Sequence, residues 1–200
     1  MSARGPKIYF NGTQLWSNKW LLWELALFFF VWPGKLVLFE FGKIISAKMH
    51  CLLLLWRSQR MLRKNQISVG RYAEIVARSY LVARGLQFVV SNWRAGIGEI
   101  DLVMETHAEL VVVEVKSRLS ASDSLLDGSL SLFDNIDRRK SEKLRHLASL
   151  YYSRTQKRAQ KNRKGERSHL GLRIDLIGVN LKRRSGKIIP VEIFHFISAL

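Results

Sequence analysis

The chain has 200 residues, with 33 Lys/Arg against 16 Asp/Glu and a formal net charge of +17. Hydrophobic residues make up 48% and charged residues 24%, which excludes wholesale disorder. The lone Cys51 excludes an intrachain disulfide or a cysteine metal cluster and points to a reducing, cytoplasmic setting, while the basic excess points to a polyanionic partner, either nucleic acid or an anionic membrane surface.

Charge and aromatics divide the chain near Met61. Five of the six tryptophans (Trp16, Trp20, Trp23, Trp32, Trp56) fall in residues 1–60, read as a hydrophobic, aromatic-rich extension of a domain over 61–200. Its apolar runs Trp20–Trp32 and Ile44–Trp56 are interrupted by Glu24, the Pro33-Gly34 break, Lys48 and His50. Neither reaches the ~20 apolar residues of a spanning helix. Three readings stand: a segment contacting a membrane surface, a hydrophobic helical hairpin, or a stretch that is not translated, since Met61 is an internal methionine just ahead of the organised part.

The rest reads as a compact α/β unit. Gly70 to Gly85 is predicted helical, with Ala73, Val76, Ala77, Tyr80 and Leu81 at helical spacing and a glycine stop. Gln87–Asn92 is a short strand, and Gly98–Met104 and Leu110–Lys116 form a hairpin. Ser117–Asp134 has loop composition. Asn135–Tyr152 is a second amphipathic helix, and Arg154–Arg167 a basic, turn-rich linker. Leu172–Val179 and Ile188–Phe196 are the final strands, giving the order α-β-β-β-α-β-β.

Charges on the hairpin break the pattern of ordinary strands. Asp101 lies between Ile100 and Leu102, and Glu114 and Lys116, two apart, project from one face after a run of valines. A turn about His107–Ala108 places Asp101 opposite Glu114 and Glu99 opposite Lys116. Opposed carboxylates have Cβ atoms roughly 5 Å apart and repel unless a cation sits between them. Mg²⁺ or Mn²⁺ takes oxygen ligands of this kind and keeps waters for chemistry, and a neighbouring lysine can orient the attacking water and stabilise charge on a phosphate. The alternative is a cross-strand ion pair, Asp101–Lys116 or Glu99–Lys116, on a solvated face; the apolar neighbours argue for a site.

Gly70-Arg71-Tyr72-Ala73-Glu74, Asn92-Trp93-Arg94, Gly98-Glu99-Ile100-Asp101-Leu102 and Val113-Glu114-Val115-Lys116-Ser117-Arg118 together resemble the uncharacterised bacterial YraN-like family, as do the Lys140…Lys143-Leu144…Ala148…Tyr151 helix and the Arg173-Ile174-Asp175-Leu176 strand. The resemblance covers roughly residues 63–200. It implies membership of the PD-(D/E)XK restriction-endonuclease-like superfamily, closest in pattern to archaeal Holliday junction resolvases: an α/β fold with a mixed central sheet flanked by helices. In those enzymes a helix glutamate, a strand aspartate and an ExK strand surround the metal, at positions matching Glu74, Asp101, Glu114 and Lys116. Such resolvases work as dimers, so a homodimer is implied as well.

The residues leave some roles open. Glu74 has an i,i+4 pairing with Arg78 as its alternative, Glu99 is a supporting group or a partner of Lys116, and Asp175 is read as structural, paired with Arg173 or Arg184. Arg138, Arg139, Lys140, Lys143 and Arg118 are candidate phosphate contacts, and Trp93 and the Tyr151-Tyr152 pair the few aromatic platforms. The five histidines show no ligand spacing. The expectation is a Mg²⁺- or Mn²⁺-dependent nuclease acting on DNA, with a branched-structure resolvase as its specific form. The alternative is a non-catalytic nucleic-acid-binding protein on the same fold.

Overall fold

A computed structural model describes residues 7–11, 35–64, 66–120, 137–161 and 171–200. The elements are β1 (Lys7–Asn11), α1 (Lys35–Arg63), α2 (Val69–Ala83), β2 (Gln87–Ala95), β3 (Gly98–Glu105), β4 (Glu109–Ser120), α3 (Arg138–Lys161), β5 (Gly171–Arg184) and β6 (Lys187–Phe196). They form one mixed sheet in the order β1-β6-β5-β4-β3-β2, with helices on both faces. This is the α/β architecture expected from the sequence. Within the domain the order α-β-β-β-α-β-β is as read, with β1 and α1 preceding it.

The apolar run of β4 is explained by its position. β4 runs parallel to β5 from Glu109↔Gly171 to Ser120↔Lys182 and antiparallel to β3, so both its edges are paired, and α2 and α3 cover its two faces. Val111 and Val113 pack under α2 with Tyr72, Val76, Ala77, Leu102, Met104, Ile177 and Val179. Leu110 and Val112 pack under α3 with Ile100, Val103, Leu144, Leu147, Ala148 and Ile174.

Helix α2 starts at Ser68, whose hydroxyl accepts the Arg71 N–H at 3.1 Å. It stops at Gly85, where φ of +90° suits glycine and Leu86 N–H reaches back to the Leu81 carbonyl at 3.1 Å. Four expected ends shift: β2 runs past Asn92 to Ala95, β5 runs past Val179 to Arg184, and β4 and α3 lengthen as follows. Ser117–Ser120, read as the start of a loop, extend β4, because every one of them pairs with β5; residues 121–134 of that loop lie outside the described residues. Arg154–Lys161, read as a linker, continue α3; residues 162–167 lie outside the description.

The compositional boundary at Met61 falls inside α1. Leu62 joins the α2-side core, Leu55 packs against it, Cys51 and Ser58 are buried, and Gln59 donates to the Ile188 carbonyl. Met49, Leu52, Leu53 and Trp56 are exposed. Among the described residues, no helix is long and apolar enough to cross a membrane. The run Trp20–Trp32 lies outside them.

Candidate active site

Strand β3 loses its regularity at Asp101. Residues two apart on a strand share a face, yet Ile100 packs under α3 and Leu102 under α2. Across from Asp101 on β2 stands Asn92, in the left-handed region at φ +52°, a conformation asparagine tolerates better than most residues. On the other side the β3–β4 ladder runs from Glu105↔Leu110 to Leu102↔Val113. That is the register expected from a turn at His107–Ala108. Asp101 and Glu114 lie one step beyond its last pair, and there the Asp101 Oδ2 accepts the Val115 N–H at 2.8 Å. A side-chain carboxylate thus satisfies a β4 amide where the ladder has ended.

The break opens a cleft of about 960 Å³ that brings together Glu74 from α2, Asp101 from β3, Glu114 and Lys116 from β4, and Arg139, Lys140 and Lys143 from α3. Asp137 caps α3 at this edge, its Oδ1 accepting the Lys140 N–H at 2.7 Å. The opposite rim is the β2–β3 turn, Arg94 to Gly98. Gly98 has φ of +153°, and a Cβ there would lie 2.6 Å from Lys143 Cε, so the lysine stem lies where only glycine leaves room.

Glu114 is 8% exposed and bears two ammonium groups on one oxygen: Lys116 Nζ, in direct contact, and Lys140 Nζ at 3.3 Å. Burial works against the Lys116 ammonium, but its contacts with Glu114 and Lys140 and the charges of Glu114 and Asp101 outweigh that and raise its pKa. Lys140 moves the other way, lowered by burial and by Lys116. Asp101 has the least support. Burial, then the charges of Glu114 and Glu74, push its carboxyl up to about 6, against the single Val115 N–H, with Lys116 also pulling it down.

Glu74 faces the cleft, and its partner differs from the Arg78 expected by helical spacing. Its Oε2 takes Arg71 Nη1 at 2.5 Å and Asn92 Nδ2 at 2.7 Å, while Arg78 lies over the Phe88 ring at 3.5 Å. Asn92 also donates to the Asp101 carbonyl at 3.3 Å, tying helix to strand. Its positioning part was not singled out in the sequence, although asparagine inside a strand is itself a signal. Glu99 lines the cleft but pairs with Arg94 at 3.1 Å instead of Lys116, which is drawn to the nearer Glu114.

Of the candidate phosphate contacts, Arg139, Lys140 and Lys143 border the cleft. Arg138 is taken by Glu142 at 2.8 Å, and Arg118 is exposed on β4. Trp93 packs edge-on against Tyr151 with ring centroids 5.0 Å apart, so it serves the fold. Among the described residues, no three His, Cys, Asp or Glu side chains stand close enough to ligate one ion together. The donor set suits a hard cation taken by one or two carboxylates with water completing its shell.

The profile of the uncharacterised protein family UPF0102 matches residues 73–179, a span that contains every cleft residue named above. The chain belongs to this family. A UPF0102 protein of Clavibacter michiganensis is 36% identical over 111 residues, 56% of this chain and 80% of the relative. One from Streptomyces griseus is 32% identical over 121 residues, covering 60% and 89%. One from Pseudomonas putida F1 is 44% identical over 82 residues, where the chain spans 62% of the relative's length. The matched span carries those segments on which the resemblance to the YraN-like family rests, from Ala73 onward, and the sheet and its flanking helices are compatible with the restriction-endonuclease-like fold implied there.

Proposed function

We propose that the chain is a divalent-metal-dependent nuclease acting on DNA, with branched duplexes as its preferred substrates. The observation that carries this reading is the convergence, at a break in the sheet, of Asp101, Glu114, Lys116 and Glu74 facing a basic wall of Arg139, Lys140 and Lys143. The fit of Mg²⁺ or Mn²⁺ rests on Asp101, whose proton is held up to about pH 6 by burial and by the charges of Glu114 and Glu74, a repulsion that a dication would relieve.

In this reading Asp101 and Glu114 would hold the ion with water filling the rest of its shell, and Glu74, expected from the resemblance as a third ligand, stands too far off to share it and lines the cleft from α2, tied to Arg71 and Asn92. A dication held there would lower the pKa of a water so that its deprotonated form attacks phosphorus, and would offset the charge of the phosphate. Lys116, anchored on Glu114, keeps its ammonium beside the attacked group, where it orients the incoming water and stabilises the developing negative charge. The α3 lysines and Arg139 take flanking backbone phosphates, which positions the duplex without reading its sequence.

Incubating the protein with branched, nicked and linear DNA in Mg²⁺ or Mn²⁺ tests the proposal. Cleavage that falls at least about a hundredfold in Asp101→Ala and Glu114→Ala supports it. Absence of cleavage, or cleavage that survives both substitutions, rejects it. One observation favours a second reading, a non-catalytic nucleic-acid-binding protein: Glu114 is already neutralised by Lys116 and Lys140. That reading predicts salt-sensitive DNA binding that persists in Asp101→Ala and needs no divalent ion.

A further inference from the structure

The charges in the cleft are unevenly matched. Glu114 receives two ammoniums on a single oxygen, whereas the Asp101 carboxylate holds the Val115 N–H as its hydrogen-bond donor. One cation more than needed stands on one carboxylate, and one fewer on its neighbour. The two lysines also differ in how they are held. Lys116 comes from the same strand two residues on and is 22% exposed, while Lys140 reaches across from α3, at the longer distance of 3.3 Å, and is 42% exposed. Its stem can therefore swing without moving the sheet, and the wall it would swing along is already basic, with Arg139 and Lys143 beside it.

We propose that Lys140 is an exchangeable counter-ion of Glu114: it neutralises the carboxylate while the cleft is empty, yields that place to a divalent cation, and then serves a backbone phosphate of the bound nucleic acid. This rests on reading the cleft as metal-dependent. It assigns α3 a positioning part beyond general phosphate attraction, because one side chain couples metal entry to nucleic-acid retention. A lysine competing with the ion weakens metal binding in the free protein, and the same lysine strengthens the ternary complex once displaced. Coupling of this kind between two ligands is typically worth about 5- to 150-fold in affinity.

The test is calorimetric titration of the full chain with Mn²⁺, comparing wild type with Lys140→Met, Lys140→Gln and Lys143→Met, each checked for an unchanged melting profile. Both Lys140 substitutions are expected to bind Mn²⁺ about fivefold or more tightly, with Lys143→Met unchanged. In fluorescence anisotropy with a labelled DNA duplex and Mn²⁺ present, the Lys140 variants should lose affinity although they hold the metal better. Equal metal affinity in wild type and Lys140 variants overturns the exchange while leaving the metal site standing. Weaker metal binding in the variants also overturns it, since Lys140 would then be building the site. If Mn²⁺ binds to no variant and not to wild type, the metal reading fails and the exchange fails with it.

Discussion

Two aspartates within the sheet make opposite use of burial. Asp175 on β5 is fully buried and well supplied: Oδ1 accepts from Arg173 Nε at 3.0 Å and from the Ser198 N–H at 3.0 Å, and Oδ2 meets His195 Nε2 at 3.0 Å. Arg173 passes the charge on to Glu109 at 2.6 Å, and the Tyr80 ring stands edge-on to His195. Asp101, two strands away in the sheet, has one amide donor and two carboxylates for neighbours. A buried carboxylate with matched donors holds a fold together, whereas one left short of donors is ready to take a cation or a proton. Burial alone does not separate the two; the count of donors does.

The comparison can be broken most sharply at Asp175. Removing its carboxylate leaves the Arg173 guanidinium and the Ser198 amide without their acceptor, so Asp175→Ala is expected to cost about 3–5 kcal/mol in urea unfolding. A loss under 1 kcal/mol would mean that the network is ornamental. Asp101→Asn should act in the other direction. The folded-state pKa of about 6 lies above the usual 3.8, so the folded protein binds the extra proton, and stability falls as pH rises from about 4 through 6. An amide removes that loss and keeps an oxygen for the Val115 N–H. Asp101→Asn is therefore expected to gain about 1–3 kcal/mol at pH 7.5 and nothing near pH 3.5, in thermal melts at both pH values. Equal effects at the two pH values would sink the charge argument.

Asn92→Ala sharpens the comparison from the supporting side. It removes the donor to Glu74 and puts alanine at φ +52°, for an expected cost of about 1–2 kcal/mol, measured by chemical denaturation. The smallest effect belongs to Glu99→Gln. Its pair with Arg94 is exposed on both sides, at 52% and 79%, so the melting temperature should stay within experimental error.

These contrasts also mark how far the sequence could be read. Helical spacing placed α2, and alternation with the His107–Ala108 turn placed the β3–β4 register, because both are local and periodic. The convergence of Glu74, Asp101, Glu114 and Lys116 on one cleft was expected from strand geometry together with the family resemblance. The partners were harder. Helical spacing offered Glu74 cations on both sides of its own element, and Arg71 at i−3 won over the expected Arg78 at i+4; the bond from Asn92 on β2 is the one no periodicity encodes. Lys140 was read as a surface phosphate contact, and its reach to Glu114 depends on how the crossover helix docks. The buried pair Asp175–His195 joins residues on two strands, and a lone histidine in a strand gave no sign of its partner. In the same way, β4 outran its expected end because β5, more than fifty residues away in the chain, supplies the pairing that a Ser-rich composition argued against.

The topology has a consequence in time as well as in space. The acidic side of the cleft is made by neighbours in sequence: Asp101 and Glu114 sit on one hairpin, close enough to form early in folding. The basic side arrives by a crossover, since Lys140 and Lys143 come into place only when α3 docks and β5 closes beside β4. The two sides of the cleft thus depend on different closures: Asp101, Glu114 and Lys116 need only the hairpin, whereas Lys140 and Lys143 need the long-range docking of α3.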